Sequence, residues 1–248
     1  MKKVIKLDLN QIQNQWDLLA PHRLNQFQNK TDNSFENFLK PIIFKYLKDI
    51  NFKNAVDLGC GVGNLTYEIS LIKAGKLHGI DFSSQSIEIA KTNYRNPNLS
   101  FQCIDVKSYL NSLSDSTRLD CVIANMFFQD VYPFEEIIEK ISLHLNKTGY
   151  LIFTITHPGF WPKYWKYDQE SWFDYKEEIA IEAPFVISSE NGNYINAQFF
   201  TTHFHRPLEF YIKHLVRNKF KIIEFDELKP DFPVINYPRF LSIKCIKE

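Results

Sequence analysis

Apolar and polar residues follow two spacing patterns along this chain, and the two patterns alternate between residues 54 and 156. Short apolar runs are separated by segments in which apolar residues recur every three or four positions. The first pattern is typical of buried strands, and the second is typical of helices that pack by one face. The runs predict five strands, at 54–58, 76–80, 99–104, 119–124 and 150–156. Strands that alternate with helices indicate right-handed βαβ units and a mostly parallel sheet.

The pattern differs on both sides of this core. Residues 32–50 have helical spacing, and Pro41 is expected to kink or split this helix. Residues 157–206 lack a long helical period and hold three of the four tryptophans, which predicts an insertion of loops and short strands. A helix from Pro207 and two further strands follow. We therefore divide the chain into a helical cap, a core, an insertion, and a C-terminal helix with two strands that complete the core sheet, at 1–53, 54–156, 157–206 and 207–248.

Composition narrows the classes of partner. The 248 residues include 29 Lys and Arg and 29 Asp and Glu, so the formal net charge is zero, whereas proteins that bind nucleic acid usually carry a basic excess. No apolar run reaches the length of a membrane-spanning helix, so we expect a cytoplasmic protein with no membrane partner. The four cysteines are far apart and predict reduced thiols, with no metal site.

One glycine cluster carries the strongest functional signal. The segment Asp57-Leu58-Gly59-Cys60-Gly61-Val62-Gly63-Asn64 runs from a strand into a helix. Glycines there let a ligand approach the backbone, and the helix start offers unpaired N–H groups. The dinucleotide pattern Gly-x-Gly-x-x-Gly and the phosphate-loop pattern both fail. The cluster predicts another nucleotide-type site, or else a structural tight turn.

Acidic residues strengthen the first alternative. Asp57 precedes the glycines by two residues, Asp81 ends the second strand and Asp105 ends the third. A carboxylate in the position of Asp81 can accept two ribose hydroxyls. Helix N-caps are the alternative for all three acids.

These motifs together resemble the class I S-adenosylmethionine-dependent methyltransferases. Val56 to Gly63 resembles that family's first motif, Asp81 its ribose-binding acid and Asp105 its adenine-contacting acid. The segment from Ala124 to Val131, after the fourth strand, resembles the one that passes beneath the methionine part of the cofactor. The resemblance implies a Rossmann-like α/β fold, with a seven-stranded mostly parallel sheet whose last strand is antiparallel, and S-adenosyl-L-methionine as cofactor. The implied cofactor-binding residues are Asp57, Gly59, Cys60, Gly61, Gly63, Asn64, Asp81, Phe82, Ser83, Asp105, Val106, Asn125, Met126 and Phe128.

Methyl transfer needs the acceptor held in line with the donor, and a base only if the acceptor must lose a proton. His157 follows the fifth strand and is our candidate base, the alternative being a histidine that orients its loop. His157→Ala should then lower turnover more than cofactor affinity. His203 and His205 share one side of a strand and could join His157 at a metal, although substrate hydrogen bonding is the better interpretation.

Aromatic residues crowd the insertion, which we interpret as a substrate-side lid. They could bind a flat or cationic group, or only pack the insertion's own core. The candidate substrate-binding residues are Trp161, Tyr164, Trp165, His203, His205 and Tyr237.

The sequence thus predicts an enzyme that methylates N or O of a small molecule, working as a monomer or homodimer. A protein or peptide methyltransferase and a non-catalytic cofactor-binding regulator stay open. The lack of prolines after Asn125 argues against a flipped nucleic-acid base as substrate.

Overall fold

Two β-sheets and eight α-helices make up the computed structural model in the residues that it describes, 1–185, 199–229 and 236–248. The strands are, in chain order, β1 (Lys2–Lys3), β2 (Asn54–Leu58), β3 (Lys76–Asp81), β4 (Leu99–Cys103), β5 (Leu119–Asn125), β6 (Leu145–Thr156), β7 (Ile179–Phe185), β8 (Phe199–His205), β9 (Phe220–Leu228) and β10 (Phe240–Lys247). The helices are α1 (Leu9–Gln28), α2 (Lys40–Leu47), α3 (Asn64–Ile72), α4 (Ser84–Asn93), α5 (Val106–Ser112), α6 (Phe134–His144), α7 (Trp161–Trp165) and α8 (Leu208–Arg217).

The main sheet has seven strands in the order β4-β3-β2-β5-β6-β10-β9. Pairs within β4 to β6 are parallel, whereas β10 is antiparallel to both β6 and β9. The predicted fold class is therefore confirmed, including the antiparallel last strand. Because β2, β3, β4 and β5 run in parallel, their carboxyl ends meet at one edge of the sheet, where open α/β sheets bind ligands.

Helices cover both faces of this sheet by their apolar stripes. Helix α6 begins directly after Pro133 and buries Phe134, Ile137, Ile138 and Ile141 against the core. The inner strands β5 and β6 are buried on both faces, which explains their nearly continuous apolar sequence.

In the segment at 32–50, a π-helical turn precedes the position where we predicted that Pro41 would kink or split the helix. A π-helical turn spans Phe35–Leu39, and α2 follows it directly. Pro41 lies in the first turn of α2, where a missing N–H group leaves no helical hydrogen bond unmade. The π-helical turn before α2 therefore accommodates Pro41, for which we had predicted a kink or a split.

A second, three-stranded antiparallel sheet, β1-β7-β8, lies in the insertion and recruits the chain start. Lys2 pairs with Glu182 in this sheet, and their side chains form an ion pair of 2.8 Å. The expected short strands are present and are preceded by the short helix α7, while residues 186–198 lie outside the described residues. In the described part of the chain, no helix combines the length and the apolar character needed to cross a membrane.

Candidate active site

The glycine loop joins β2 to α3 at the carboxyl edge of the sheet. Gly59, Gly61 and Gly63 have φ angles of +68°, +53° and +84°. At Gly59 a Cβ atom would lie 2.2 Å from Cδ2 of Phe127, so backbone shape and a close neighbour both require glycine there. A Cβ on Gly61 would meet nothing within 4 Å. The loop therefore leaves open space above Gly61 and is closed by an aromatic ring above Gly59.

Asp81 ends β3 and faces this loop. Its carboxylate accepts the Gly61 N–H at 2.9 Å and the Ser83 N–H at 2.8 Å. Burial raises the pKa of Asp81 to about 6, although these amide donors oppose the shift. Ser83, and not Asp81, caps α4, so the N-cap alternative fails for this acid. A carboxylate has about four acceptor positions, and two amides leave capacity for further donors.

Asp57 is placed behind the loop instead of toward a ligand. Its side chain is buried and accepts the Thr66 hydroxyl at 2.7 Å. Burial is the main cause that raises the pKa of Asp57 to about 7, and the Asp81 charge adds to it. We had expected Asp57 to point at the ligand, and the structure corrects this because the hydroxyl of α3 holds the carboxyl inward.

Two other predicted contacts also turn away from the loop's open side. The Cys60 N–H donates to the Ile80 carbonyl at 2.9 Å, and its side chain packs beside the small cluster of Ile87, Ala90 and Phe101. Asn64 donates its side-chain amide to Glu68 at 3.1 Å along α3.

Asp105 and Val106 lie at the next strand end. Asp105 is exposed and caps α5 by accepting the Ser108 N–H at 2.9 Å. The N-cap alternative thus describes what Asp105 does in this structure, while one carboxylate oxygen makes no bond to that helix. Val106 begins α5 and packs against the main core.

Helix α1 covers the loop that follows Asp81. The Gln13 side chain donates to the Phe82 carbonyl at 2.7 Å. Asp17 accepts the Ser83 hydroxyl at 2.6 Å and the Gln85 N–H at 3.1 Å. Sequence reasoning named Phe82 and Ser83 but missed their partners Gln13 and Asp17, because nothing local in a polar amphipathic helix marks the residues that reach another loop.

The segment after β5 is held in a fixed shape. The Met126 N–H donates to both the carbonyl and the hydroxyl oxygen of Thr154 at 3.0 Å, and Met126 has a φ of +51°. The Thr154 hydroxyl in turn donates to the Asn125 side chain at 2.8 Å. This left-handed residue directs Phe127 over Gly59.

Phe128 does not face the crevice as expected. It is fully buried in the core, where its ring packs edge-on against Phe134 and Phe153. Its neighbour Phe127, which we did not list, is the aromatic residue at the glycine loop. The adjacent pair of phenylalanines was the available signal, but the pair alone does not show which ring enters the core.

His157 has both ring nitrogens engaged. The Gly159 N–H donates to Nδ1 at 3.1 Å, so Nε2 carries the proton and donates it to Glu227 at 2.9 Å. The backbone N–H of His157 also donates to the Arg239 carbonyl at 2.8 Å. This is the arrangement of a histidine that orients its loop, so the structure does not support the base that we expected.

The predicted substrate residues form two groups. Trp161 packs against Tyr164 and Trp165, with ring centroids 5.1 Å apart in both pairs, and Trp165 lies edge-on to His203 at 4.9 Å. His205 joins this group through Tyr167, and its Nε2–H donates to the Tyr175 carbonyl at 3.0 Å. Tyr237 stacks on Phe160 beside His157 instead. Across 1–185, 199–229 and 236–248, no three His, Cys, Asp or Glu side chains converge as metal ligands.

The comparisons with known proteins agree with this geometry. Residues 51–180 match the family model described as "Methyltransferase domain". The chain belongs to this methyltransferase family. Its sequence motifs place it in class I, for which S-adenosylmethionine is the methyl donor.

Individual relatives of the methyltransferase are distant. A malonyl-[acyl-carrier protein] O-methyltransferase of Bacillus anthracis is 31% identical over 100 residues, which are 40% of this chain and 36% of that protein. This chain thus matches little more than a third of that relative's length.

Solved structures show the same fold over most of the chain. A putative S-adenosylmethionine dependent methyltransferase from Listeria monocytogenes aligns with 85% of this chain and 96% of its own, at 23% identity and a TM-score of 0.66. Magnesium protoporphyrin IX methyltransferase from Synechocystis PCC 6803, solved with bound SAH, aligns with 97% of this chain and 100% of its own, at 12% identity and a TM-score of 0.66.

The site's own features fit an S-adenosylmethionine-type nucleoside. The open space above Gly61 admits a ligand close to the backbone, and Asp81 borders that space with unused acceptor capacity. Helix α3 starts at Gly63 without a side-chain cap, which leaves its first N–H groups available.

Proposed function

We propose that this chain transfers a methyl group from S-adenosylmethionine to N or O of a small-molecule acceptor. The observation that carries the proposal is the Asp81 carboxylate beside the open side of the glycine loop, in a member of a methyltransferase family. The name of the relative from Bacillus anthracis, a malonyl-[acyl-carrier protein] O-methyltransferase, supports an acceptor other than nucleic acid. Zero net charge supports the same conclusion.

The cofactor, when bound, supplies a methyl group already activated by a positively charged sulfur. Asp81 would accept the ribose hydroxyls, and Phe82, Ser83 and Asp105 border the same edge of the sheet. The loop from Gly59 to Gly63 and the segment from Asn125 to Phe127 would hold the amino-acid part. Helix α1 shields the loop after Asp81 from water through Gln13 and Asp17.

The protein's main task is then to hold the acceptor in line. Positioning of this kind supplies up to about 7–11 kcal/mol in the best cases. With both nitrogens of His157 engaged, an acceptor that loses its proton easily suits the site better than an alcohol or an ammonium group.

Calorimetry tests the cofactor half of the proposal. Asp81→Ala should weaken S-adenosylmethionine binding about 100-fold, because it removes a charged acceptor from two hydroxyls. The control Asp115→Ala removes an exposed carboxylate from the loop before β5 and should bind like the parent. Equal affinity of Asp81→Ala and the parent would contradict the assigned site.

The pH dependence of binding provides a second check. The pKa of Asp81 in the free protein is about 6, so the carboxylate is ionised above that pH and accepts hydroxyls best there. Affinity should be constant above pH 7 and fall by up to about tenfold per unit below pH 6. Asp81→Asn should flatten this profile.

Transfer of labelled methyl from the cofactor tests catalysis itself. Incubation with a cell extract should give a labelled small molecule, identified by mass spectrometry. Label on a protein would favour the peptide alternative, and binding without transfer would favour a regulator.

A further inference from the structure

Helix α1 carries two pairs of polar side chains that reach different parts of the molecule. Gln11 and Gln15 are four residues apart and share one face of the helix, and Gln13 and Asp17 share another face in the same way. Two positions along an α-helix correspond to a rotation of about 200°, so the two pairs lie on nearly opposite faces. A helix of this kind can connect the elements that pack on its two sides.

One of these faces is tied to the second sheet through the carboxylate of Glu182. The side-chain amides of Gln11 and Gln15 donate to one oxygen of this carboxylate at 2.9 and 3.0 Å. Lys2 pairs with its other oxygen at 2.8 Å. Thr202, directly opposite Glu182 on β8, donates its hydroxyl to Gln15 at 3.1 Å. The Glu182 side chain is only 11% exposed, so it depends on these donors, and it anchors helix α1 to the second sheet.

The opposite face of α1 is tied to the loop after Asp81. Gln13 donates to the Phe82 carbonyl at 2.7 Å, and Asp17 accepts the Ser83 hydroxyl at 2.6 Å. The N–H of Ser83 donates to Asp81 at 2.8 Å. Ser83 therefore joins the carboxylate of α1 to the carboxylate that we assign to the ribose, and a shift of α1 would move the residue that holds Asp81.

Charge links the same two carboxylates. The titratable groups that face Asp81 are Asp17 from α1, Asp57 from β2, Cys60 from the glycine loop and Cys103 from β4. Burial is the main cause of the raised pKa of Asp81, and the charge of Asp17 adds to it. Both the position and the charge of Asp17 therefore act on Asp81.

We propose that Gln13 and Asp17 are positioning residues for the cofactor site and that Glu182 holds helix α1 in place for them. This proposal rests on the proposed function, because it assumes that Asp81 binds the ribose of the cofactor. Gln13 and Asp17 fix the loop between β3 and α4, and Glu182 acts on that loop through α1. The affinity for S-adenosylmethionine thus depends on a carboxylate that lies outside the core sheet.

Calorimetric titration of the full chain with S-adenosylmethionine at pH 8 tests the residues at the loop. The double variant Gln13→Ala, Asp17→Ala removes three hydrogen bonds to the loop, one from Gln13 and two to Asp17. It should weaken binding about tenfold. Affinity equal to that of the parent would overturn the proposal.

The same titration tests whether Glu182 acts through the helix. Glu182→Ala should weaken binding about fivefold in the parent chain, because α1 loses its anchor. In the chain that already carries Gln13→Ala and Asp17→Ala, it should change the affinity less than about twofold, since the connection is already broken. An equal loss in both backgrounds would show that Glu182 acts by another route, and the proposal would fail.

Two further variants serve as control and as a milder change. Glu177→Ala removes an exposed carboxylate from the segment before β7 and should bind the cofactor like the parent. A loss equal to that of Glu182→Ala would show a general effect of charge and would overturn the proposal. Thr202→Val keeps the side-chain shape and removes only the hydroxyl that holds Gln15. It should weaken binding about threefold in the parent chain alone, which tests the anchor even if Glu182→Ala does not fold.

The pH dependence of binding separates positioning from a purely structural role. Asp17→Asn keeps an acceptor for Ser83 but removes the charge. Relative to its own affinity at pH 8, this variant should lose affinity at lower pH than the parent, because the groups that remain raise the pKa of Asp81 less. Superimposable pH profiles of Asp17→Asn and the parent would contradict the role of Asp17.

Asp81→Ala separates the two proposals. If this variant binds S-adenosylmethionine like the parent, the assigned cofactor site is wrong and the proposed function fails. If Asp81→Ala weakens binding while the variants at Gln13, Asp17 and Glu182 do not, the proposed function stands and only the role of helix α1 fails.

Discussion

The glycine-loop side and the aromatic side of this sheet edge treat their polar groups in opposite ways. At the glycine loop, the protein pairs Asp81 with two backbone amides and Asp57 with a hydroxyl. Among the packed rings of Trp161, Trp165, Tyr167 and His203, the polar atoms of His203 and Trp161 have no partner among the described residues. The first region pairs its polar groups within the protein, whereas the second leaves three buried polar atoms unpaired among the described residues.

The two regions also lie in different parts of the fold. The glycine loop joins core strand β2 to α3, whereas His203 lies on β8 of the second sheet, where side chains can change without disturbing the core strands. The two regions meet at the loop after β5, and changes there should affect both.

Arg206 gives the largest expected effect, because it fixes that shared loop. It is fully buried, donates to the Phe128 and Val131 carbonyls at 2.8 and 2.6 Å, and pairs with Glu178. Arg206→Met should lower the free energy of unfolding by about 3–5 kcal/mol, since it leaves buried partners unpaired. Urea denaturation measures this change.

The control for Arg206 is Arg118→Met. Arg118 also donates to two carbonyls, of Asp115 and Thr117, but in an exposed loop. Its removal should change stability by less than about 0.5 kcal/mol. Similar losses of stability in both variants would show that the burial of Arg206 does not matter. Arg206 would then not be what fixes the loop after β5.

A change at Asp57 has the next largest expected effect. It tests whether the polar groups buried beside the glycine loop are fully paired. Its folded-state pKa of about 7 lies above the ordinary value of 3.8, so folding favours the protonated form. Stability from this group is therefore complete below pH 4 and is lost as pH rises through 7, by up to about 4 kcal/mol. Asp57→Asn keeps an acceptor for Thr66 and removes the carboxyl that titrates. The variant should therefore become more stable relative to the parent protein as the pH rises.

Urea denaturation of both proteins at pH 5, 6, 7 and 8 measures that gain. Because the charge of Asp81 adds to the raised pKa of Asp57, both curves are repeated in an Asp81→Asn background. Thr66→Val removes the donor that lowers the pKa of Asp57, and the loss with rising pH should become larger than in the parent. Parallel stability curves for parent and Asp57→Asn would show that the carboxyl ionises without cost.

The sequence predicted the core well because its signals are local. Apolar runs, Pro133 and Pro207 marked strands and helix starts, and the glycine cluster marked the loop between β2 and α3. The role of His157 could not be predicted in the same way, because its partner Glu227 is 70 residues away on β9. The pairing of Lys2 with Glu182 is similarly distant.

Phe127 and Phe128 show the same limit at adjacent positions. Their chemistry is identical, and only the left-handed turn at Met126, held by Thr154 on β6, decides that one ring faces Gly59 and the other the core. Patterns reveal which element a residue joins, but a contact set by another strand determines where its side chain goes.

Gly59 tests this contact directly and gives the smallest expected effect. Gly59→Ala should destabilise the cofactor-free protein by about 2–4 kcal/mol, since a left-handed alanine and a clash with Phe127 both contribute. Gly61→Ala is the matched control, because Gly61 has the same left-handed backbone conformation but open space around it. Its free energy of unfolding should therefore fall by only about 1–2 kcal/mol. In a Phe127→Ala background the loss at Gly59 should fall to that of Gly61, because the ring that clashes is gone. Urea denaturation of the four combinations at positions 59 and 127 gives the coupling energy. If the loss at Gly59 is the same with and without the Phe127 ring, the ring does not close the loop above Gly59.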